Sequence, residues 1–238
     1  MDLLKKEDPR FHAIGPGGDG LFMLATSEYP SKLSKKVLSF ALPSAPALYL
    51  SLACDARLRR QKIDLDGVFI EHPHPQGTYP EDHKMLFDWF QLAAAEIIFS
   101  FTAIEAFANE NIPTSFEYDW TTSKKEIVKL KGSEIERSVH LDEKLKLVLP
   151  KAHSVKNPAG TKAWEQYKNL SRVRDRLVHL KSVDRQASGP ENQTIWGLMI
   201  AERKTDFVAA SHLIIGSFPS LVKGRRWYTL LKQRLKSV

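Results

Sequence analysis

The feature that most constrains this fold is an apolar segment of the chain at residues 85–107. Placed on a helix, its large side chains cover nearly every side; they are Leu86, Phe87, Trp89, Phe90, Leu92, Ile97, Ile98, Phe99, Phe101, Ile104 and Phe107. A helix that is apolar nearly all round is buried among other helices. It must end before Pro113, because proline lacks an N–H donor and constrains the residue ahead of it. The segment therefore predicts the central helix of an all-α, mainly helical bundle.

Several features predict a cytoplasmic protein without a membrane span. The most apolar stretch, residues 89–108, is interrupted by Glu96 and Glu105, whereas a bilayer core needs roughly 20 residues with few or no charges. The N-terminal sequence MDLLKKEDPR has charges on both sides of two leucines, which is unlike a signal peptide. The single cysteine, Cys54, excludes an intrachain disulfide and suits a reducing compartment.

Other periodic segments predict the remaining helices of the bundle. In residues 162–182 the apolar positions are spaced by three or four, which gives one apolar stripe facing a partner. Similar arguments predict helices at residues 45–60, 142–149, 206–217 and 225–236, with the second of these ending at Pro150.

Local signals predict where helices begin. Pro80 suits the first position of the long helix, and the two acidic residues that follow it favour a helix N-terminus. Ser123 with Glu126, and Ser133 with Glu136, match the capping-box pattern, in which side chains satisfy the free N–H groups of a first turn.

The first 80 residues give a less regular pattern. Residues 15–18 and 72–77 are rich in glycine or proline and predict loops, and residues 68–70 predict a short strand. We therefore predict two parts: an N-terminal extension, residues 1–80, of mixed structure and unknown role, packed on a bundle formed by residues 81–238.

The positive charge is concentrated near the C-terminus. The chain has a net charge of +7, and residues 171–238 carry thirteen Lys or Arg against five Asp or Glu. Clustered basic charge is typical of a protein that binds a polyanion. A solvated basic face is the alternative reading.

The basic segment opens with a compact group of polar residues on one predicted helix. Asp175 precedes His179 by four residues, so the two share a helix face and can hydrogen-bond, which would fix the imidazole tautomer. Arg174 lies about 140° around the helix from His179, and its long side chain can still converge on the same ligand. An arginine four to six residues before a histidine is a weak signal alone, since a surface helix with scattered charges gives the same pattern.

Three segments in the same order resemble the HEPN superfamily of all-α domains. The R-x4-H pattern from Arg174 to His179, with a polar residue directly after the arginine, is similar to the family's late motif. Residues 101–110 (FTAIEAFANE) resemble an earlier helix of the family, and residues 141–150 (LDEKLKLVLP) resemble the lead-in between them. The resemblance spans about residues 85–182.

The resemblance implies a HEPN-like antiparallel bundle and a metal-independent endoribonuclease without a cofactor, of the toxin or defence-effector kind, working as a homodimer on RNA. An antitoxin or a nucleotidyltransferase-like protein would be its partner. The implied site residues are Arg174, His179, Asp175 and Glu105 for catalysis, Arg172, Arg176, Arg225 and Arg226 for RNA binding, and Asn109 in support. The alternative is a non-catalytic helical dimer that serves as an adaptor or partner subunit.

Several residues can be interpreted as structural as well as functional. Glu105 either bonds to a neighbouring helix or holds Arg174 or His179, and Asn109 either supports the site or lies near a helix end. The nearby histidines at positions 72, 74 and 83 lack an acidic partner at a suitable spacing, so we predict no metal site.

Overall fold

The computed structural model describes residues 10, 24–29, 36–71, 78–80, 83–186 and 193–236, and it is mainly helical as the sequence predicts. The helices are α1 (Ala45–Arg60), α2 (His83–Glu110), α3 (Gly132–Ser138), α4 (Leu141–Glu143), α5 (Leu149–His153), α6 (Lys162–Val178), α7 (Ile195–Ala201), α8 (Phe207–Gly216), α9 (Pro219–Val222) and α10 (Arg226–Lys236). A π-helical segment (Lys144–Val148) joins α4 to α5, and 3-10 turns lie at Asp66–Val68 and Ser182–Arg185. The loops predicted at residues 15–18 and 72–77 lie outside the described residues.

The long helix α2 is the centre of the core, as its apolar sequence predicts. It packs against α1 along much of its length and against α6 and α8 on another side. Aromatic pairs mark these contacts: the ring of Phe101 stacks on Tyr167 of α6 at 6.4 Å, and Phe107 contacts Phe218 at 5.9 Å. The helix ends at Glu110, before Pro113.

A buried ion pair lies inside this apolar core. Glu96 of α2 accepts hydrogen bonds from the Arg60 guanidinium (2.8 Å) and from the backbone N–H of Phe207 (3.2 Å), which ties α1, α2 and α8 together. Burial raises the pKa of Glu96, and the adjacent Arg60 acts in the opposite direction. Burying a carboxylate requires such partners, because neither water nor an apolar side chain can satisfy it there.

By length and composition alone, α2 would also suffice to cross a membrane. Half of its most apolar window is buried inside the fold, which is what the core helix of a bundle requires. The cytoplasmic location inferred from the sequence stays a prediction.

Within the described residues, three antiparallel hairpins accompany the helices. Strands β1 (Leu24–Tyr29) and β2 (Lys36–Ala41) form the first, β3 (Phe69–Glu71) and β4 (Thr78–Pro80) the second, and β5 (Glu117–Thr121) and β6 (Ile127–Lys131) the third. The mixed structure and the short strand expected before residue 80 are therefore confirmed. The boundary proposed at that point stays a prediction, although α1 shares one core with α2.

Two predicted helix starts are wrong. Pro80 ends strand β4, and α2 begins at His83. The first capping-box pattern falls in the β5–β6 turn, where the backbone N–H of Glu126 donates to the hydroxyl of Thr122 and Lys125 takes the left-handed conformation (φ 64°). The same side-chain-to-backbone bond can close a turn or begin a helix, so the pattern alone does not distinguish them.

Three helix boundaries also differ from the prediction. Helix α3 begins at Gly132, earlier than the second pattern indicates, because Glu134 accepts a hydrogen bond from the N–H of Lys131. Pro150 does not end its helix: it lies in the first turn of α5, directly after the π-helical segment, a position where its missing N–H is tolerated. Helix α6 ends at Val178, four residues before the predicted end.

Candidate functional site

The early end of α6 determines the setting of His179. Its backbone N–H donates to the carbonyl oxygen of Asp175 (2.9 Å), but its φ of −107° and ψ of 72° are no longer helical. The side chain is exposed. His179 is therefore a C-terminal cap whose imidazole is open to solvent, rather than a residue on the face of a continuing helix.

Arg174 lies on an aromatic surface about one turn before the end of α6 at Val178. The central carbon of its guanidinium is 4.6 Å from the ring centroid of Phe101, a cation–π contact, and Nη1 donates to the Asp175 carboxylate at 2.9 Å. The side chain keeps 28% of its exposure. The guanidinium is thus held against the Phe101 ring, and part of the Arg174 side chain stays exposed.

The prediction that Asp175 hydrogen-bonds to His179 is wrong. Both residues are described and no such bond joins them, because His179 leaves helical geometry and the four-residue relation on one face is lost. The Asp175 carboxylate orients Arg174 instead.

Phe101 and Tyr167 complete the surroundings of Arg174, and the sequence analysis assigned neither to the site. The hydroxyl of Tyr167 donates to the carboxylate of Asp142 at 2.6 Å. Burial raises the pKa of Tyr167, and the negative charges of Asp142, Asp175 and Glu105 raise it further. The hydroxyl therefore stays protonated. The three-or-four spacing that identified α6 as amphipathic places Tyr167 and Arg174 seven residues apart, on one face.

Glu105 and Asn109 lie beside a buried lysine. Lys144, in the π-helical segment, donates from Nζ to the Oδ1 of Asn109 (2.9 Å) and to the backbone carbonyl of Glu136 (2.6 Å). Burial lowers the pKa of Lys144, and Glu105 acts in the opposite direction. Neither Arg174 nor His179, both described, pairs with Glu105. This position favours the structural reading of Glu105, and Asn109 is both near the helix end and a partner of Lys144.

Three of the four arginines predicted to bind RNA are held by carboxylates within the fold. Arg176 donates from both terminal nitrogens to Asp184, whose side chain is fully buried. Asp184 also accepts the backbone N–H groups of Lys181 and Ile195. The hydrogen bond from Arg176, together with these two backbone bonds, keeps the pKa of Asp184 well below its usual range. Arg176 therefore ties the end of α6 to α7.

Arg172 and Arg225 are also paired. Arg172 donates to Glu202 at 2.9 Å, and Arg225 lies 3.2 Å from Glu110 at the end of α2. Arg226, in the first turn of α10, is partly exposed. The sequence could not indicate these pairings, because the partners lie far apart along the chain.

Exposed apolar side chains flank the site. Ile98 lies one turn before Phe101 on α2, and Val178 and Leu180 lie on either side of His179; all three are exposed. Apolar side chains exposed beside polar groups are typical of interaction surfaces.

The described residues contain no group of three or more side chains suited to holding a metal ion. Of the histidines considered at positions 72, 74 and 83, the first two lie outside the described residues. His83 is exposed and its ring lies 6.1 Å from that of Phe87.

Comparison of the chain with protein family models, with curated proteins and with solved structures finds no match. The HEPN resemblance thus rests on the sequence segments themselves and stays a prediction.

Proposed function

We propose that this protein is a metal-independent endoribonuclease of HEPN type, a toxin or defence effector that acts as a homodimer. One observation carries the proposal: Arg174, held against the ring of Phe101 and partly exposed, lies at the same end of α6 as the exposed His179. These are an anion clamp and a proton-transfer group, the two functions that RNA cleavage by an internal nucleophile requires.

In the proposed reaction His179 takes the proton from an RNA 2′-hydroxyl. The 2′-oxygen then attacks the adjacent phosphorus, and the bond from phosphorus to the 5′-oxygen breaks. The 5′-oxygen takes a proton from water, so that a 2′,3′-cyclic phosphate and a 5′-hydroxyl result. Arg174 stabilises the negative charge that develops on the phosphate, and Asp175 keeps the guanidinium in place. Because the nucleophile is part of the substrate, orientation supplies much of the rate gain.

One Arg/His pair per chain supplies half of the site that the family resemblance implies. A two-fold dimer would bring two such pairs to a shared cleft. The exposed side chains of Ile98, Val178 and Leu180 beside the pair support an interface there. Light scattering at micromolar concentration should give a dimer, and a monomer would count against the composite site.

The direct test is cleavage of a labelled RNA in EDTA. Wild-type protein should remain active, and a substrate with 2′-deoxyribose at the scissile position should resist. His179→Ala and Arg174→Ala should each slow cleavage at least ~100-fold, the usual scale for a lost acid–base or charge-stabilising group. Asp175→Asn should cost less, since it disturbs only the orientation of Arg174.

Arg172→Ala is the matched control. It removes the same charge from the same helix, but Arg172 is exposed and paired with Glu202, so the loss should be small. Cleavage abolished by EDTA, or cleavage equally sensitive to both arginine substitutions, would contradict the mechanism.

A second candidate is a non-catalytic helical dimer that acts as an adaptor or as a subunit of a nucleotidyltransferase-like partner. The observation in its favour is that Arg172, Arg174 and Arg176 each have a carboxylate partner, whereas no carboxylate in the described part of the chain orients His179. A firmly dimeric protein that cleaves no RNA, and whose expression does not arrest growth, would decide for this reading.

A further inference from the structure

A basic cleft lies at the junction of α1 and α2, away from the Arg/His site. It has a volume of about 490 Å³ and is lined by the cations Arg59, Lys62 and Lys84, with Asp88 and Gln91 on α2 and two aliphatic side chains beneath. Gln91 and Phe101 are ten residues apart on the same helix, about 15 Å at 1.5 Å per residue. The cleft and the Arg174 surface are therefore separate.

Arg59 differs from the neighbouring arginines of α1 in what its side chain contacts. Arg57 and Arg60, in the same last turn of α1, are committed to Asp206 (2.9 Å) and Glu96 (2.8 Å). Arg59 is exposed and lines the cleft instead. A cation in a last turn also suits the helix dipole, but that effect does not account for further cations supplied by other parts of the chain.

The electrostatic balance of the lining is positive. Among the described lining residues, three cations face one carboxylate, Asp88, which pairs with Lys84 at 2.6 Å. The cleft lies near the beginning of α2 at His83, the end at which a helix dipole favours an anion. A guanidinium and an ammonium on one wall, with an ammonium on the other, suit a phosphate group that is held from two sides.

We propose that this cleft binds a small phosphate-bearing molecule of nucleotide size, a nucleoside mono- or diphosphate. Its volume falls within the range of about 300–1,000 Å³ that small-molecule sites occupy. Arg59, Lys62 and Lys84 hold the phosphate, Gln91 and Asp88 offer hydrogen-bond partners for hydroxyls or a base, and Ile63 and Leu92 give apolar contact. The inference does not depend on the proposed ribonuclease activity.

The proposal is tested by calorimetric titration of the full chain with ADP, AMP, pyrophosphate and adenosine. ADP and AMP should bind saturably, and adenosine, which lacks phosphate, should not. Arg59→Gln with Lys62→Gln should weaken ADP at least about tenfold, since two charge-assisted contacts are lost. The matched control is Lys124→Gln with Lys125→Gln in the exposed β5–β6 turn, which removes the same charge and should leave ADP binding unchanged.

Asp88→Asn provides a test of opposite sign. The substitution removes the negative charge of Asp88 and its ion pair with Lys84, so ADP should bind roughly threefold or more tightly by loss of like-charge repulsion. A purely structural role of these residues would not produce opposite changes in the two variants.

Several outcomes would overturn the proposal. The first is the absence of saturable ADP or AMP binding at millimolar concentration. The second is an equal loss of ADP affinity in the cleft variant and the control variant. The third is an Asp88→Asn protein that binds ADP no more tightly than the wild type. A titration with a short RNA lacking terminal phosphates separates the remaining case: if only RNA binding depends on Arg59 and Lys62, the cleft is part of an RNA track and not a nucleotide site.

Discussion

Replacement of Tyr167 by phenylalanine isolates one hydrogen bond beside the candidate site. Tyr167 is fully buried on α6, and its hydroxyl donates to Asp142 at 2.6 Å. Phenylalanine keeps the ring and its stacking on Phe101, so no cavity opens. Only the bond to the charged carboxylate is lost.

The structure sets the expected magnitude. A hydrogen bond to a charged group contributes about 1.5–3 kcal/mol. Asp142 keeps 41% of its side-chain exposure and its bond from Lys168, so its carboxylate is not left unsatisfied and the low end applies. We expect Tyr167→Phe to lower the free energy of unfolding by about 1.5 kcal/mol, which for a chain of this size lowers Tm by roughly 3–6 °C.

The pH dependence of the effect has a defined sign. Partial burial by itself raises the pKa of Asp142, but the hydrogen bonds from Lys168 and Tyr167 outweigh it and lower the pKa from 3.8. A group whose pKa is lower in the folded state stabilises the fold above its unfolded pKa and loses that contribution as pH falls. The difference between wild type and Tyr167→Phe should therefore shrink below about pH 4.

Urea denaturation followed by circular dichroism, at neutral pH and near pH 3, measures both quantities. Lys168→Gln is the control, since it removes the exposed partner of the same carboxylate and should cost at most about 1 kcal/mol. A variant as stable as wild type, or a loss of the same size at both pH values, would refute the reasoning. RNA cleavage should survive in Tyr167→Phe, because its hydroxyl is bonded to Asp142 and not to Arg174 or His179.

Two further substitutions test the structural roles of charged residues. Asp184→Asn should lower Tm clearly, because the buried carboxylate holds Arg176 and two backbone N–H groups. Thermal denaturation measures the change in Tm. An unchanged Tm would show that Arg176 is free to bind a ligand. Lys144→Met should remove a dependence of stability on alkaline pH. Burial lowers the pKa of Lys144 from 10.5, so the free energy of unfolding of the wild type rises as pH approaches 10.5. Urea denaturation at pH 7 and about pH 9.5 should show a smaller rise in the free energy of unfolding for the variant.

The sequence predicts best the helices whose buried apolar residues lie within one continuous segment. Helix α2 is apolar nearly all round. Helix α8 follows its N-cap residue Asp206, whose side chain accepts a hydrogen bond from the N–H of Ala209. The third hairpin was missed because a serine and a glutamate three apart suggested a helix. The alternation of Tyr118 and Trp120 with outward-facing polar residues was the period-two signal that could have indicated strand β5.

The setting of the candidate site could be predicted only in part. The sequence predicts that Asp175 and His179 share a helix face, but the break after Val178 that ends this relation depends on tertiary contacts. Those contacts include the buried Asp184, which accepts an N–H of Lys181 and holds the chain in a 3-10 turn. A pattern of local spacing carries no information about such a partner.

The same limitation applies to charge. Residues 171–238 have a large surplus of basic residues, yet Arg172, Arg176 and Arg225 are bound to carboxylates within the fold. A count of charges therefore overstates the cations available to a ligand. Lys181 and Arg185, exposed just after His179, and the partly exposed Arg226 have no carboxylate partner among the described residues.

This difference gives a measurable prediction for RNA binding. Each phosphate neutralised on a single strand contributes a slope of about −0.7 to the logarithm of affinity against the logarithm of salt concentration. Contacts from Arg174, Lys181, Arg185 and Arg226 predict a slope near −2.8, whereas release of the three paired arginines as well predicts about −4.9. Fluorescence anisotropy of a labelled RNA, titrated with a cleavage-deficient His179→Ala protein at several salt concentrations, distinguishes the two. A slope near the larger value would mean that RNA displaces Glu202, Asp184 and Glu110 from their arginines, and a slope near zero would mean that the basic segment does not contact RNA.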